Sequence, residues 1–321
     1  MMNMRSAIAT RVDQSTRHRQ RRIALGALLG AGLLLGVTTN LAKVAHGIGI
    51  TPLAYLTWSL TGAALLLTIV SSLRGQTAKL NRRSVEYFVI AGFLSTAGSN
   101  LIFFNAVPHL GVSFIALMFS LPPLLTYAGA LAMRMERFCW WRASGVVLAL
   151  AGTALLVIRQ WSTPGADSVW IAIALVGPVL LAMGNIYRTR RWPPEASAES
   201  LAPGMLIGAL VILMLAALVF DWSLSIPDGN TYAMPLIAVQ AIVFAGQFLL
   251  LFVLQKAGGP VFLSLMGGVS AMFGVPIATV LLAEPVLPVF LPSATLIAAG
   301  IVAMLFGVKV CDRQATKPGQ T

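Results

Sequence analysis

Ser95, Thr96, Ser99 and Asn100 fall at i, i+1, i+4 and i+5 inside a stretch, 87 to 133, that holds no Asp, Glu, Lys or Arg. On a helix this spacing draws one polar stripe. Hydroxyls and an amide of this kind support hydrogen bonding, to a neighbouring helix or to a bound solute, and both readings stand. Gln247 lies 148 residues after Ser99 in another charge-free stretch. Thr38, Thr39 and Asn40 close the first apolar stretch, and Ile186, Tyr187 and Arg188 lie 148 residues after them. The two triplets suit the two mouths of a pathway; hydroxyls bonded to a carbonyl one turn back explain the threonines equally. Trp58, Phe119, Tyr127 and Phe273 are apolar cavity candidates, and Ser270 is a polar one. The candidate solute-binding set is Thr39, Asn40, Trp58, Ser95, Ser99, Asn100, Tyr187, Gln247 and Ser270. Arg188 and Lys43 read as cations that snorkel to the membrane surfaces.

Catalytic chemistry finds little support. There is no GxSxG, no HExxH and no Asp within an apolar stretch. His46 and His109 fall at stretch ends without evident partners, and Cys139 and Cys311 lack the spacing of a disulfide or a metal site. No cofactor and no metal is expected, and no charged ring marks a channel filter.

The elements that must position these groups follow from composition. The chain of 321 residues is 58% hydrophobic and 10% charged, too apolar to wrap a water-soluble globule. Its charge-free windows suit helices of about 20 residues, which satisfy their own backbone groups in hydrocarbon. Turn residues divide them into spans near 23–42, 52–73, 86–107, 112–133, 141–158, 168–187, 203–220, 233–254, 259–283 and 289–310. Pro108, His109, Leu110 and Gly111 form the link within the longest window.

The net charge of +12 does not point to nucleic acid, because of where the cations lie. With the N-terminus inside, all 22 Lys and Arg except Lys43 and Arg159 fall on inner segments, which places both termini in the cytoplasm. Trp140, Trp141, Trp161 and Trp170 suit interfacial anchoring at span ends. The run after Ile23 is too long for a cleaved signal peptide and reads as a first span. The expected organisation is a basic tail (1–22), a five-helix repeat (23–159), a second repeat (168–310) and a cytoplasmic tail (311–321), in a cell inner membrane.

The repeat rests on a constant offset of 148 residues. Gly111 pairs with Gly259, Phe114 with Phe262, Leu117 with Leu265, Met118 with Met266, Glu136 with Glu284 and Gly152 with Gly300. Five spans per half is an odd number, so the second half enters the membrane from the opposite face. Inverted halves can exchange conformations and turn an inward-open cavity outward. Pro122, Pro123 and Pro276 predict kinks or breaks in spans four and nine. Gly26, Gly30, Gly32 and Gly36, with Gly204 and Gly208, read as close helix contacts.

On GVTTNLAK (Gly36 to Lys43), FFNA (Phe103 to Ala106), Leu121 to Pro123, GNIYRTRR (Gly184 to Arg191) and the segments Glu136 to Gly152 and Glu284 to Gly300, the chain resembles the drug/metabolite transporter superfamily, EamA type. The resemblance implies a basket in which spans one to four and six to nine line a central cavity, braced by spans five and ten. It also implies movement of amino acids, nucleosides, drugs or similar solutes. The Arg common in the family's second span is absent, since residues 55 to 60 read YLTWSL. The expectation is an all-α membrane protein that moves a small neutral or zwitterionic metabolite by alternating access, its partners being that solute and membrane lipid. The alternatives are a proton-coupled exporter of cationic drugs, a channel or a membrane-embedded enzyme. No carboxylate falls near the middle of a span, which speaks against the proton-coupled alternative.

Overall fold

The computed structural model describes residues 2–77, 80–119, 121–136, 138–161, 167–194, 196–226, 230–284 and 288–315. Lys79, Arg137, Glu195, Asp228 and Lys317 lie outside these residues, as do the side chains of the basic tail, Gln160, Trp161, Phe262, Cys311 and Asp312. Among the described residues the chain is helical and contains no strand. Ten helical elements follow one another: α1 (Met2–Gly47), α2 (Pro52–Leu73), α3 (Arg82–Leu110), α4 (Val112–Ala132), α5 (Trp140–Trp161), α6 (Ser168–Arg190), α7 (Ala198–Val219), α8 (Ala233–Ser264), α9 (Met266–Leu281) and α10 (Phe290–Ala315). The first eight contain stretches long and apolar enough to cross a bilayer, and Met266–Leu281 and Phe290–Met304 are shorter apolar helices. The protein is an all-helical integral membrane protein, with ten helical elements among the described residues. The basic tail is not a separate segment, because α1 runs unbroken from Met2.

Local chemistry sets the helix starts. Thr51 caps α2 by accepting from Ala54 N, with Pro52 in the first turn, where its missing N–H costs nothing. Asn81 accepts from Ser84 N at 2.8 Å to start α3, and Ser197 with Ser200 forms a reciprocal capping box on α7. Gly111 reverses the chain between α3 and α4 at φ +80°, and an added Cβ there would also strike the Glu284 carboxylate. α4 is interrupted after Phe119 and resumes at Pro122, as the proline pair predicts. Pro276 behaves differently: α9 continues through it, and the interruption in the second half falls at Leu265.

The offset of 148 governs packing as well as sequence. α1 lies against α8 and α9, and α6, its counterpart, lies against α3 and α4. Residue pairs obey the same rule. Gly36 meets Gly274 across α1 and α9, and the equivalent region of α6 meets α4 where Asn185 donates to Thr126. Gly145 packs on Gly300, and the pair displaced by 148, Ser293 with Gly152, is also in contact. Along α5 and α10 the contacts run from Arg142 with Gly307 to Gly152 with Ser293. These two equivalent helices are therefore antiparallel, which makes the halves inverted. Lipid tails supply no hydrophobic drive between helices, so such small-residue contacts bring backbones into van der Waals range. Gly26 is the exception, with nothing within 4 Å of an added Cβ.

Candidate binding site at the bundle centre

The polar stripe of α3 is bent by its own backbone. Phe93–Ala97 forms a π-turn in which Gly98 N–H donates to Phe93 O, five residues back. In a regular α-helix Ser95 and Asn100 stand about 140° apart at 3.6 residues per turn. The extra residue of a π-turn brings i and i+5 onto one face, and such turns are frequent at functional sites. Ser95 and Asn100 accordingly line one central cavity, of about 40 Å³. At roughly 10–15 Å³ per water this is room for a few waters, so the site is contracted around its centre. Asn185, Arg188 and Gln247 complete the polar lining, and Leu35, Phe119, Leu181, Phe248, Leu251 and Met266 are among the apolar walls.

Arg188 does not snorkel to the membrane surface. It is 1% exposed and lines this cavity. Its Nη2 donates to Asn185 Oδ1 at 2.8 Å, its Nη1 meets Met205 Sδ at 3.9 Å, and its Nε is buried without a partner. Asn185 in turn donates to Thr126 Oγ1 at 3.3 Å, which fixes the amide that holds the guanidinium. Among the described residues no carboxylate pairs with Arg188. Burying a charge without a counter-ion costs several kcal/mol after relaxation, on the order of what a whole helix contact contributes.

Gln247 is positioned by a chain of hydrogen bonds across three helices. Tyr55 Oη donates to Gln240 Oε1 (3.1 Å), Gln240 Nε2 donates to Thr38 Oγ1 (3.0 Å), and Thr38 Oγ1 donates to Gln247 Oε1 (3.1 Å). With one lone pair of that oxygen used, Gln247 can offer a solute its amide nitrogen as donor and the second lone pair as acceptor.

Of the nine residues in the candidate solute-binding set, Ser95, Asn100 and Gln247 line the cavity and the other six do not. Thr39 Oγ1 donates to Gly36 O, and Asn40 Nδ2 bridges Gly36 O and Gly274 O, so both serve the α1–α9 contact. Ser99 and Ser270 are buried off the cavity with hydroxyls that have no partner among the described residues. Tyr187 stacks on Tyr87, with ring centroids 6.0 Å apart. Trp58 is 41% exposed and donates its indole N–H to Leu224 O, away from the cavity. Phe119 is a lining residue, whereas Tyr127 accepts from Cys139 N and Phe273 does not line the site. Arg188 and Asn185 are the additions; Thr38, Gln240 and Tyr55 act behind Gln247.

Three further readings need correction. Lys43 does not snorkel but pairs with Glu284 at 2.7 Å, and Glu284 also accepts from Val112 N (3.1 Å) and Ser113 N (2.8 Å). One carboxylate thus joins α1, the start of α4 and the end of α9, at the favourable N-terminal end of a helix. Its counterpart Glu136 pairs with Arg142 at 2.5 Å, and each Glu donates the same backbone bond: Glu136 N–H to Ala130 O, Glu284 N–H to Ala278 O. His109 has partners, lying 3.4 Å from Asp167 and stacked on Trp170. Cys139 is disulfide-bonded, where its spacing offered no ground for a bridge.

Residues 22–158 match the EamA-like transporter family. The chain is 26% identical over 195 residues to "Uncharacterized transporter YyaM" of Bacillus subtilis (strain 168), covering 59% of this chain and 63% of that protein. The match therefore spans less than two thirds of that relative's length. A protein of solved crystal structure superposes with a TM-score of 0.66 at 15% identity, over 91% of this chain and 99% of the other. That likeness shows a shared fold.

Proposed function

We propose that this chain is a membrane transporter of the drug/metabolite superfamily, a reading supported by the match of residues 22–158 to the EamA-like transporter family, and that it moves a small organic solute by alternating access through the cavity lined by Ser95, Asn100, Asn185, Arg188 and Gln247. The observation that carries it is the contact between Phe119 and Gly267, equivalent positions of the two halves that touch each other beside the cavity. A residue and its own counterpart meet only on the pseudo-twofold axis, and the axis is where an inverted pair must hold its solute for either half to release it. Both helix breaks, beginning at Phe119 and at Leu265, fall near this point and supply places where the halves can bend.

The Lys43–Glu284 clasp supports an arrangement closed on the face opposite the N-terminus. It ties α1, α4 and α9 together at their ends. Export of a cationic drug fits poorly, because the cavity's charged group is a cation. Purified protein in liposomes should show saturable uptake and counterflow of its solute; flux linear in concentration supports a channel instead.

A further inference from the structure

We infer that Arg188 is the anion-binding group of the central cavity and that the solute it takes is a small carboxylate with an apolar body. The inference rests on the transport reading of the same cavity and narrows its substrate class.

Three observations converge on it. The guanidinium is fully buried, yet its described contacts are a neutral amide oxygen and a thioether, and its Nε–H points to no acceptor. Buried charges in membrane bundles pair with an opposite charge or mark a solute path. Arg188 lies in the last turn of α6, where the helix dipole eases a cation but leaves its donors unfilled. The planar fork of a guanidinium matches the two oxygens of a carboxylate.

The rest of the lining sets the class. Among the residues lining the cavity, Arg188 is the single ionisable one. One positive charge balances a monoanionic carboxylate, whereas a phosphate dianion calls for a second cation. Leu35, Phe119, Leu181 and Phe248 offer surface for an apolar remainder. Ser95 and Asn100, on α3, can bond to one further polar group, as on a zwitterionic solute. Asn185 is a positioning residue, since it holds Arg188 and is itself held by Thr126.

The test uses the purified full-length protein and matched probes: small carboxylic acids and amino acids, the primary amide of each, and inorganic phosphate. Thermal stabilisation reads binding, and uptake into proteoliposomes reads transport. At least one acid is expected to stabilise the protein at concentrations tenfold or more below those its amide requires. Arg188→Lys should weaken and Arg188→Gln should abolish that preference. Equal effects of acid and amide across the panel, stronger stabilisation by phosphate than by any acid, or a folded Arg188→Gln that keeps the preference would each overturn the inference. Should Arg188→Gln not fold, the wild-type comparison and Arg188→Lys decide. Acid binding without uptake keeps the site and removes the transport reading; saturable uptake indifferent to the carboxylate keeps transport and removes the site.

Discussion

The carbonyl oxygen of Phe119 rests against the Cα face of Gly267, the residue 148 positions later and its counterpart in the second half. No side chain fits between them: a Cβ built on Gly267 overlaps that oxygen, and the clashing atom is backbone. This approach of the two halves thus depends on a missing methyl group.

Gly267→Ala should therefore separate α4 from α9 on the axis. Overpacking of this kind costs about 1–3 kcal/mol, and here no flexible side chain can absorb it. Gly26→Ala, with nothing within 4 Å, serves as the control and should change stability by less than about 1 kcal/mol. Thermal unfolding in detergent and solute uptake should both distinguish the two variants; equal behaviour would contradict the axial contact.

Asn185→Asp places a carboxylate 2.8 Å from the Arg188 guanidinium, where the amide oxygen now sits. A built-in counter-ion should raise thermal stability and compete with an anionic solute. The expected outcome is a higher melting temperature with uptake reduced tenfold or more. Unchanged uptake would count against Arg188 as the solute's partner.

The clasp at Glu284 makes a separate prediction. Glu284→Ala removes the Lys43 pair and the acceptor for Val112 N and Ser113 N. The Glu284 side chain is 7% exposed and Lys43 33%, so the full cost of breaking a buried pair is discounted to about 1–3 kcal/mol. Cysteines placed near Val112 should become more reactive to a membrane-impermeant thiol reagent. Lys43→Met should do the same more weakly, because it leaves the backbone donors satisfied.

Reporter fusions after residues 80, 196 and 315 should all report the cytoplasmic face. The basis is the reading that, Lys43, Arg159 and the buried Arg188 apart, Lys and Arg fall on inner segments. An opposite result at any of the three breaks the proposed orientation.

Much of this architecture is legible in the residues. Hydropathy marks the spans because a bilayer accepts little else, and the Glu136 and Glu284 pair marks the repeat because each closes the same turn after a helix end. The site is legible only in part. Ser95 and Asn100 share a face through a π-turn, which no residue type in FLSTA announces. Arg188 stands beside Arg190 and Arg191 at a helix end, so linear position assigns it to the surface; only the packing of α6 against α3, α4 and α8, with Met205 of α7 at the guanidinium, turns it inward. Trp58 fails the other way, since its size suggests a cavity wall and its indole N–H finds a loop carbonyl instead.

The account stands most directly on counterflow. Purified protein is reconstituted into liposomes preloaded with an unlabelled solute that stabilises it, and uptake of the same labelled solute is followed against concentration. Alternating access at one axial site predicts saturation, and faster initial uptake into loaded than into empty vesicles. Uptake that rises linearly with concentration and ignores the internal solute would contradict it.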